Sequence, residues 1–123
     1  MPMKKNFDII YPEKEFGEGC DIVAVNRKIV YLVEFKKCNL SISDANKAAR
    51  QIKLTEEKLI VNNKIPDNNT LVRIVLHDDH GGCYVYSQAQ IELERRKIKR
   101  QPLSSASKLL RRLYDLYKKS CKN

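Results

Sequence analysis

No apolar run in the chain approaches the roughly 20 residues that a membrane-spanning helix needs, and no stretch has the make-up of a signal peptide. The expectation is a soluble, cytoplasmic protein without a membrane partner. No GxGxxG or P-loop motif is present, so a nucleotide cofactor is not expected. No serine or cysteine stands in a nucleophile arrangement with a histidine, and there is no internal repeat or low-complexity tract. Cysteine is limited to Cys20, Cys38, Cys83 and Cys121. None belongs to a CxxC pair and no histidine lies at zinc-finger spacing from them, so a cysteine zinc site is not expected. Free buried thiols in a reducing compartment are the expectation, with a disulfide within the chain as the alternative.

What is there suits one domain spanning residues 1–123. Hydrophobic residues make up 42% and charged residues 32%, which is a globular composition. The net charge of +9 is unevenly placed. Residues 92–123 carry eleven Lys/Arg against three acids, a net +8, while residues 1–91 carry thirteen against twelve. A block this lopsided attracts polyanions and points to nucleic acid as the partner, DNA being the expected one.

Hydrophobic patterning gives the element order. A short strand is expected over 6–12, ended by Pro12, then a polar loop or helical turn over 13–19. Strands follow over 20–26 and 28–38, both apolar on both faces, which implies a covered sheet. A helix over about 43–60, capped by Ser41 or Ser43, carries a small-residue face of Ala45, Ala48, Ala49, Ile52 and Leu59. A turn over 61–69 leads to a strand over 71–77, the turn "DDHGG" and a returning strand over 83–88. A final helix begins after Ser104 or Ser105 and runs to about Ser120. Its apolar stripe is Leu109, Leu113, Leu116 and Tyr117, flanked by Leu110 and Tyr114. The expected fold is α/β, a single central mixed sheet flanked by helices, with a basic segment and helix at 92–123.

The strands on either side of "VNRKI" carry the candidate chemistry. A two-residue loop at Arg27–Lys28 pairs Asn26 with Ile29 and, counting back, sets Asp21 opposite Glu34. A four-residue loop keeps that register, and a three-residue loop makes the two acids diagonal neighbours. Lys36 points to the same face as Glu34. Two carboxylates about 5 Å apart repel, and at the covered end of a hairpin desolvation adds to the cost. A proton on one acid, the Lys36 ammonium or a shared divalent cation relieves it. A cation uses every feature present, since Mg²⁺ is held by one or two carboxylates with water and phosphate oxygens. Such an ion activates water for attack at phosphorus, and Lys36 is placed to assist. "HDDHGG" also gathers His77, Asp78, Asp79 and His80, a set able to bind a transition metal. It is read here as a polar turn between strands.

The stretch "GCDIVAVNRKIVYLVEFKK" resembles the PD-(D/E)xK nuclease superfamily, the fold shared by many restriction enzymes and archaeal Holliday-junction resolvases. The likeness covers roughly residues 8–77. It implies a restriction-endonuclease-like core and a Mg²⁺- or Mn²⁺-dependent endonuclease, with Asp21 and Glu34 as metal-binding acids and Lys36 as the catalytic lysine. It further implies a metal contact from the Phe35 backbone carbonyl and support from Gln51 on the following helix. Cys20 stands where many members have proline. Only about twenty residues precede Asp21, where many members have a helix with a further acid, so Glu18 or Glu15 is the candidate for that acid. Lys37, Arg50, Arg111 and Arg112 are the candidate nucleic-acid contacts. A homodimer fits two cuts in two strands. The alternatives are a non-catalytic nucleic-acid-binding protein on the same fold, and an assembly protein that docks through the stripe of its last helix.

Overall fold

Two β-branched runs build the centre of the molecule, and in the computed structural model, which describes residues 7–65 and 68–121, they form a hairpin. Strand β2 (Ile22–Val25) pairs antiparallel with β3 (Ile29–Lys36) in the register Ile22↔Val33, Val23↔Leu32, Ala24↔Tyr31, Val25↔Val30. The expected two-residue turn is there. Asn26 N–H donates to Ile29 O (3.0 Å), and the Asn26 side chain accepts from the N–H groups of Lys28 and Ile29. Strand β1 (Asp8–Ile10) adds antiparallel to β2, and the short helix α1 (Pro12–Phe16) follows it, the expected helical turn. Strands β4 (Thr70–His77) and β5 (Lys99–Pro102) extend the sheet in parallel from β3. The order is β1-β2-β3-β4-β5, one mixed sheet flanked by helices.

Parallel neighbours need crossovers. Helix α2 (Ile42–Val61) carries the chain from β3 to β4, and α3 (Ser87–Arg95) carries it from β4 to β5. Both cover one face of the sheet, where Val23, Val30, Leu32 and Val75 pack with Ala45, Ala48, Ile52, Leu59, Ala89 and Leu93. Crossovers of one hand between strands running the same way must lie on the same face. The opposite face, with Ile22, Ala24, Val33, Ile74 and Leu76, is covered by α4 (Lys108–Ser120) through Leu110 and Leu113. The expected stripe residues Leu109, Leu116 and Tyr117, with Tyr114, pack against this second core. The stripe thus serves this chain's own sheet. No helix among the described residues is long and apolar enough to cross a membrane.

Ser41 caps α2 by a reciprocal pair with Asp44, one of the two serines expected. Three expectations are corrected. Residues 83–88 do not form a returning strand. They make one isolated bridge, Leu40↔Val85, and Ser87 begins a helix. The run "QAQIELER" is made of helix formers, and Ala89 and Leu93, four apart, both bury. The fifth strand is instead Lys99–Pro102, an edge strand whose charges and terminal proline suit that position. The final helix is capped by Ser107, whose hydroxyl accepts from Leu110 N–H (3.2 Å), while Leu103–Ser105 make a 3₁₀ turn and Ser104 bonds Asp79. The cysteines are not all free buried thiols. Cys20 is buried and free and Cys121 is exposed and free, but Cys38 and Cys83 form a disulfide, which was the alternative. The bridge at Leu40↔Val85 brings the ends of two neighbouring segments together and leaves the Cys38 and Cys83 Cα atoms 4.8 Å apart. Within the first expected strand Asn6, within the 61–69 turn Pro66 and Asp67, and within the basic segment Lys122 lie outside the described residues.

Candidate metal-binding cleft

At one end of the sheet, the start of β2 meets the carboxyl ends of β3 and β4, where open α/β sheets place their ligands. A cleft of about 350 Å³ opens there, lined on the strand side by Asp21, Glu34, Phe35, Lys36, Lys37 and His77. Tyr114, Tyr117 and Lys118 of α4 form its other wall. A larger groove of about 510 Å³ lies between α4 and β1–β3, and it holds no comparable pair of acids.

Each charged group is held by named contacts. Just before Asp21, Cys20 N–H donates to Thr55 Oγ1 of α2 (2.6 Å), and the Thr55 hydroxyl donates to Gln51 O (2.9 Å). Gly19 makes that approach possible. Its φ is +132°, and a Cβ there would run into Thr55 Oγ1 and come within 2.7 Å of Pro12 Cβ. Asp21 N–H donates to Val33 O (3.1 Å), not to Glu34, so the ladder ends at Ile22↔Val33 and Asp21 enters at the strand end. Its carboxylate accepts from Phe35 N–H (2.7 Å) and from the Tyr117 hydroxyl. It therefore touches β3 and the α4 layer at once. The expected meeting of Asp21 with Glu34 holds, but at the sheet end instead of on one flat face.

Glu34 is 8% exposed. Lys36 Nζ lies 3.9 Å from its Oε2, while its Oε1 is buried without a hydrogen-bond partner. Burial, then the Asp21 charge, pushes the Glu34 pKa up to about 8 despite the ammonium of Lys36. The Asp21 pKa is raised as well, chiefly by burial, against the pull of its Phe35 and Tyr117 hydrogen bonds. Both carboxyls thus resist ionisation, each beside the other, and the pair behaves as one coupled unit. Half-buried Asp21 and buried Glu34, the latter with an unpartnered oxygen, form a compact set of hard oxygen donors. Hard oxygen donors of this kind fit Mg²⁺ or Mn²⁺.

His77, expected at the end of the strand over 71–77 and in the "HDDHGG" group, is 3% exposed. Its Nδ1 faces Asp78 O (3.1 Å) and its Nε2 faces Arg100 Nη1 (2.9 Å). A carbonyl only accepts and a guanidinium only donates, so the proton sits on Nδ1. Gln90 Oε1 in turn accepts from Arg100 Nε, which ties α3 and β5 to the cleft wall.

The other sequence candidates are dispersed. Lys37 lines the cleft. Gln51 does not line it, and its Oε1 is buried without a partner. Glu18 pairs with Lys58 (3.9 Å) and Glu15 with Lys64 (3.6 Å), and neither lines the cleft. Arg50 faces a shallow hollow with Gln51, Lys53 and Glu57. Arg111 donates to Ser104 O (2.7 Å) and Ala106 O (3.2 Å), and Arg112 lines the larger groove. Tyr117 was missed as a site residue, whereas Lys118 was among the basic residues of the last helix expected to meet phosphates. Tyr117 read as part of an apolar stripe, and only the packing of α4 across the sheet end brings its hydroxyl to Asp21.

No protein-family model matches the chain, and neither a curated protein nor a solved structure matches it significantly. The fold and the cleft define an α/β protein with one mixed five-stranded sheet and an acid pair, half-buried Asp21 and buried Glu34, at its strand ends.

Proposed function

We propose that the protein is a metal-dependent nuclease that hydrolyses phosphodiester bonds, with DNA as its substrate. The observation that carries this is the Asp21–Glu34 pair in the cleft, where Glu34 is buried and its Oε1 has no hydrogen-bond partner. In this reading Asp21, Glu34 and the Phe35 carbonyl hold Mg²⁺ or Mn²⁺. The bound ion supplies the Lewis-acid charge that makes water a nucleophile at neutral pH and stabilises the phosphate oxygens.

The chain's own residues do the rest. Binding requires Glu34 to release its proton to solvent, so occupancy rises with pH through about 8. Phe35 N–H and the Tyr117 hydroxyl orient the Asp21 carboxylate. Lys36 Nζ, 3.9 Å from Glu34 Oε2, offers positive charge to an incoming phosphate and a hydrogen bond to the attacking water. Lys37 and Lys118 on the rim favour a polyanion. The resemblance of "DIVAVNRKIVYLVEFK" to PD-(D/E)xK nucleases supports the same assignment.

The test is a cleavage panel of duplex, single-stranded and branched DNA and RNA with Mg²⁺ or Mn²⁺, run with the wild type, Glu34→Ala and Lys36→Ala. The expected result is cutting of at least one DNA form, lowered about 100-fold or more in each variant. No cutting by the wild type, or equal cutting by the variants, defeats the assignment. Salt-sensitive binding without cutting favours a non-catalytic nucleic-acid-binding protein instead.

A further inference from the structure

A second group of metal-ligand atoms lies beside the cleft and plays no part in the chemistry above. Cys38 follows Lys36 by two residues, and His80 and Cys83 lie in the turn after β4, where Asp78 lines the cleft. One ligand atom from each of Cys38, His80 and Cys83 falls within 4.8 Å of the others. We propose that these three residues form a Zn²⁺-type site when the Cys38–Cys83 disulfide is reduced, so that the rim of the cleft holds either a disulfide or a metal ion.

The hydrogen bonding prepares the imidazole for this role. His80 Nδ1 lies 2.7 Å from Asp78 Oδ1. An ionised carboxylate only accepts, so Nδ1 carries the hydrogen and Nε2 presents its lone pair. A carboxylate bonded to the far nitrogen of a metal-binding histidine fixes its tautomer and raises its basicity. Cys83 Sγ lies 3.8 Å from Nδ1 and 4.0 Å from Nε2, beside the ring, so a modest turn of this exposed side chain points the Nε2 lone pair at the sulfur. Around a tetrahedral zinc ion a nitrogen and a sulfur ligand are about 3.6 Å apart and two sulfurs about 3.8 Å. The histidine and Cys83 are therefore near ligand separation already, and the two sulfurs have to part only when their bond is broken.

Main-chain bonds keep the sulfurs together after reduction. Leu40 N–H donates to Tyr84 O (2.8 Å), Tyr86 N–H to Leu40 O (3.0 Å), and Tyr84 N–H to Asn39 Oδ1 (3.1 Å). The His80 side chain is 68% exposed, which leaves a fourth position open to water. Thiolates and imidazole favour soft or borderline ions, so this cluster and the carboxyl pair select different metals. Reduction is a thiol–disulfide exchange. A dithiol passes two electrons and two protons to the sulfur pair and is itself oxidised to a disulfide. Metal binding then displaces the two thiol protons.

The test uses Co²⁺ as a spectroscopic probe, with the full chain in two redox states. The dithiol-reduced protein, freed of excess reductant, is expected to bind one sulfur-ligated Co²⁺ per chain, with sulfur-to-cobalt charge-transfer absorption and tetrahedral visible bands, and added Zn²⁺ is expected to displace it. The oxidised protein is expected to show neither band. Cys38→Ser and Cys83→Ser should each lose most of the charge-transfer intensity, and His80→Ala should weaken binding about tenfold or more. Cys121→Ser should bind as the wild type does, and the sulfur-to-cobalt bands report the thiolate site alone, which keeps the outcome separate from the fate of the nuclease assignment. Bands in the oxidised protein, bands that survive loss of both cysteines, or unchanged affinity in His80→Ala overturn the proposal. Comparing two redox states of one wild-type chain makes it decidable even where a variant fails to fold.

Discussion

Replacing Glu34 by glutamine removes the carboxyl whose pKa burial pushes up to about 8, and the effect should appear as a changed dependence of stability on pH. An unfolded chain loses the Glu34 proton near 4.5, whereas the folded chain keeps it to about 8. Between those values the folded state binds more protons, so its stability falls as pH rises through that window and levels off above it. At about 1.4 kcal/mol for each pH unit of the window, the loss is roughly 3–5 kcal/mol. Glu34 is 8% exposed, so solvent screening reduces this little. For a chain of this size that corresponds to a fall in Tm on the order of 10–20 °C. Glu34→Gln keeps the shape and hydrogen-bonding capacity but not the charge, so its Tm should stay nearly level. The assay is thermal unfolding followed by circular dichroism between pH 5 and 9, with chelator present. In the wild type, and not in the variant, excess Mg²⁺ at high pH should restore most of the lost stability, because the ion replaces the proton. Parallel pH profiles for the two proteins would refute both the buried proton and the cation argument built on it.

Two further substitutions test how the cleft is held. Gly19→Ala should cost about 2 kcal/mol or more in urea unfolding, because φ is +132° and the new Cβ meets Thr55 Oγ1 and Pro12. A midpoint unchanged from the wild type would mean that α2 does not seat on Cys20 as described. Leu113→Ala, at a fully buried position in the α4 layer, should lose about 2–5 kcal/mol by chemical denaturation. A loss under about 1 kcal/mol would show that α4 does not cover the sheet.

The hairpin was legible because its evidence is local. Thirteen positions separate Asp21 from Glu34, the turn "NRK" sets the register, and strand alternation carries it outward. Helix α2 was legible for the same reason, since Ser41, Asp44 and the alanine face lie within a few turns. Residues 83–102 were not. "CYVYSQ" alternates like a strand, yet its only ladder contact is one bridge, and Ala89 and Leu93 count for more once a sheet face is there to receive them. The disulfide depends on residues 45 apart in sequence whose approach is set by the β3–β4 pairing. Tyr117 and Lys118 are the same kind of case. Their place in the cleft follows from how α4 crosses the sheet, and a helical stripe says which face packs but not which strand end it reaches.

The wall of the cleft made by Tyr114, Tyr117 and Lys118 belongs to the last helix of the described chain. The carboxyls of Asp21 and Glu34 are made long before it. On a ribosome the hairpin emerges first, with both acids solvated and ionised as ordinary carboxylates. Only when residues 108–120 arrive and dock do Val33, Ile74 and Leu76 lose contact with water, and only then does the Tyr117 hydroxyl reach Asp21. The burial that raises both pKa values is therefore complete only once α4 has docked. A nascent chain carries the acids but not yet the closed cleft, and the step that completes the core is also the step that completes the site.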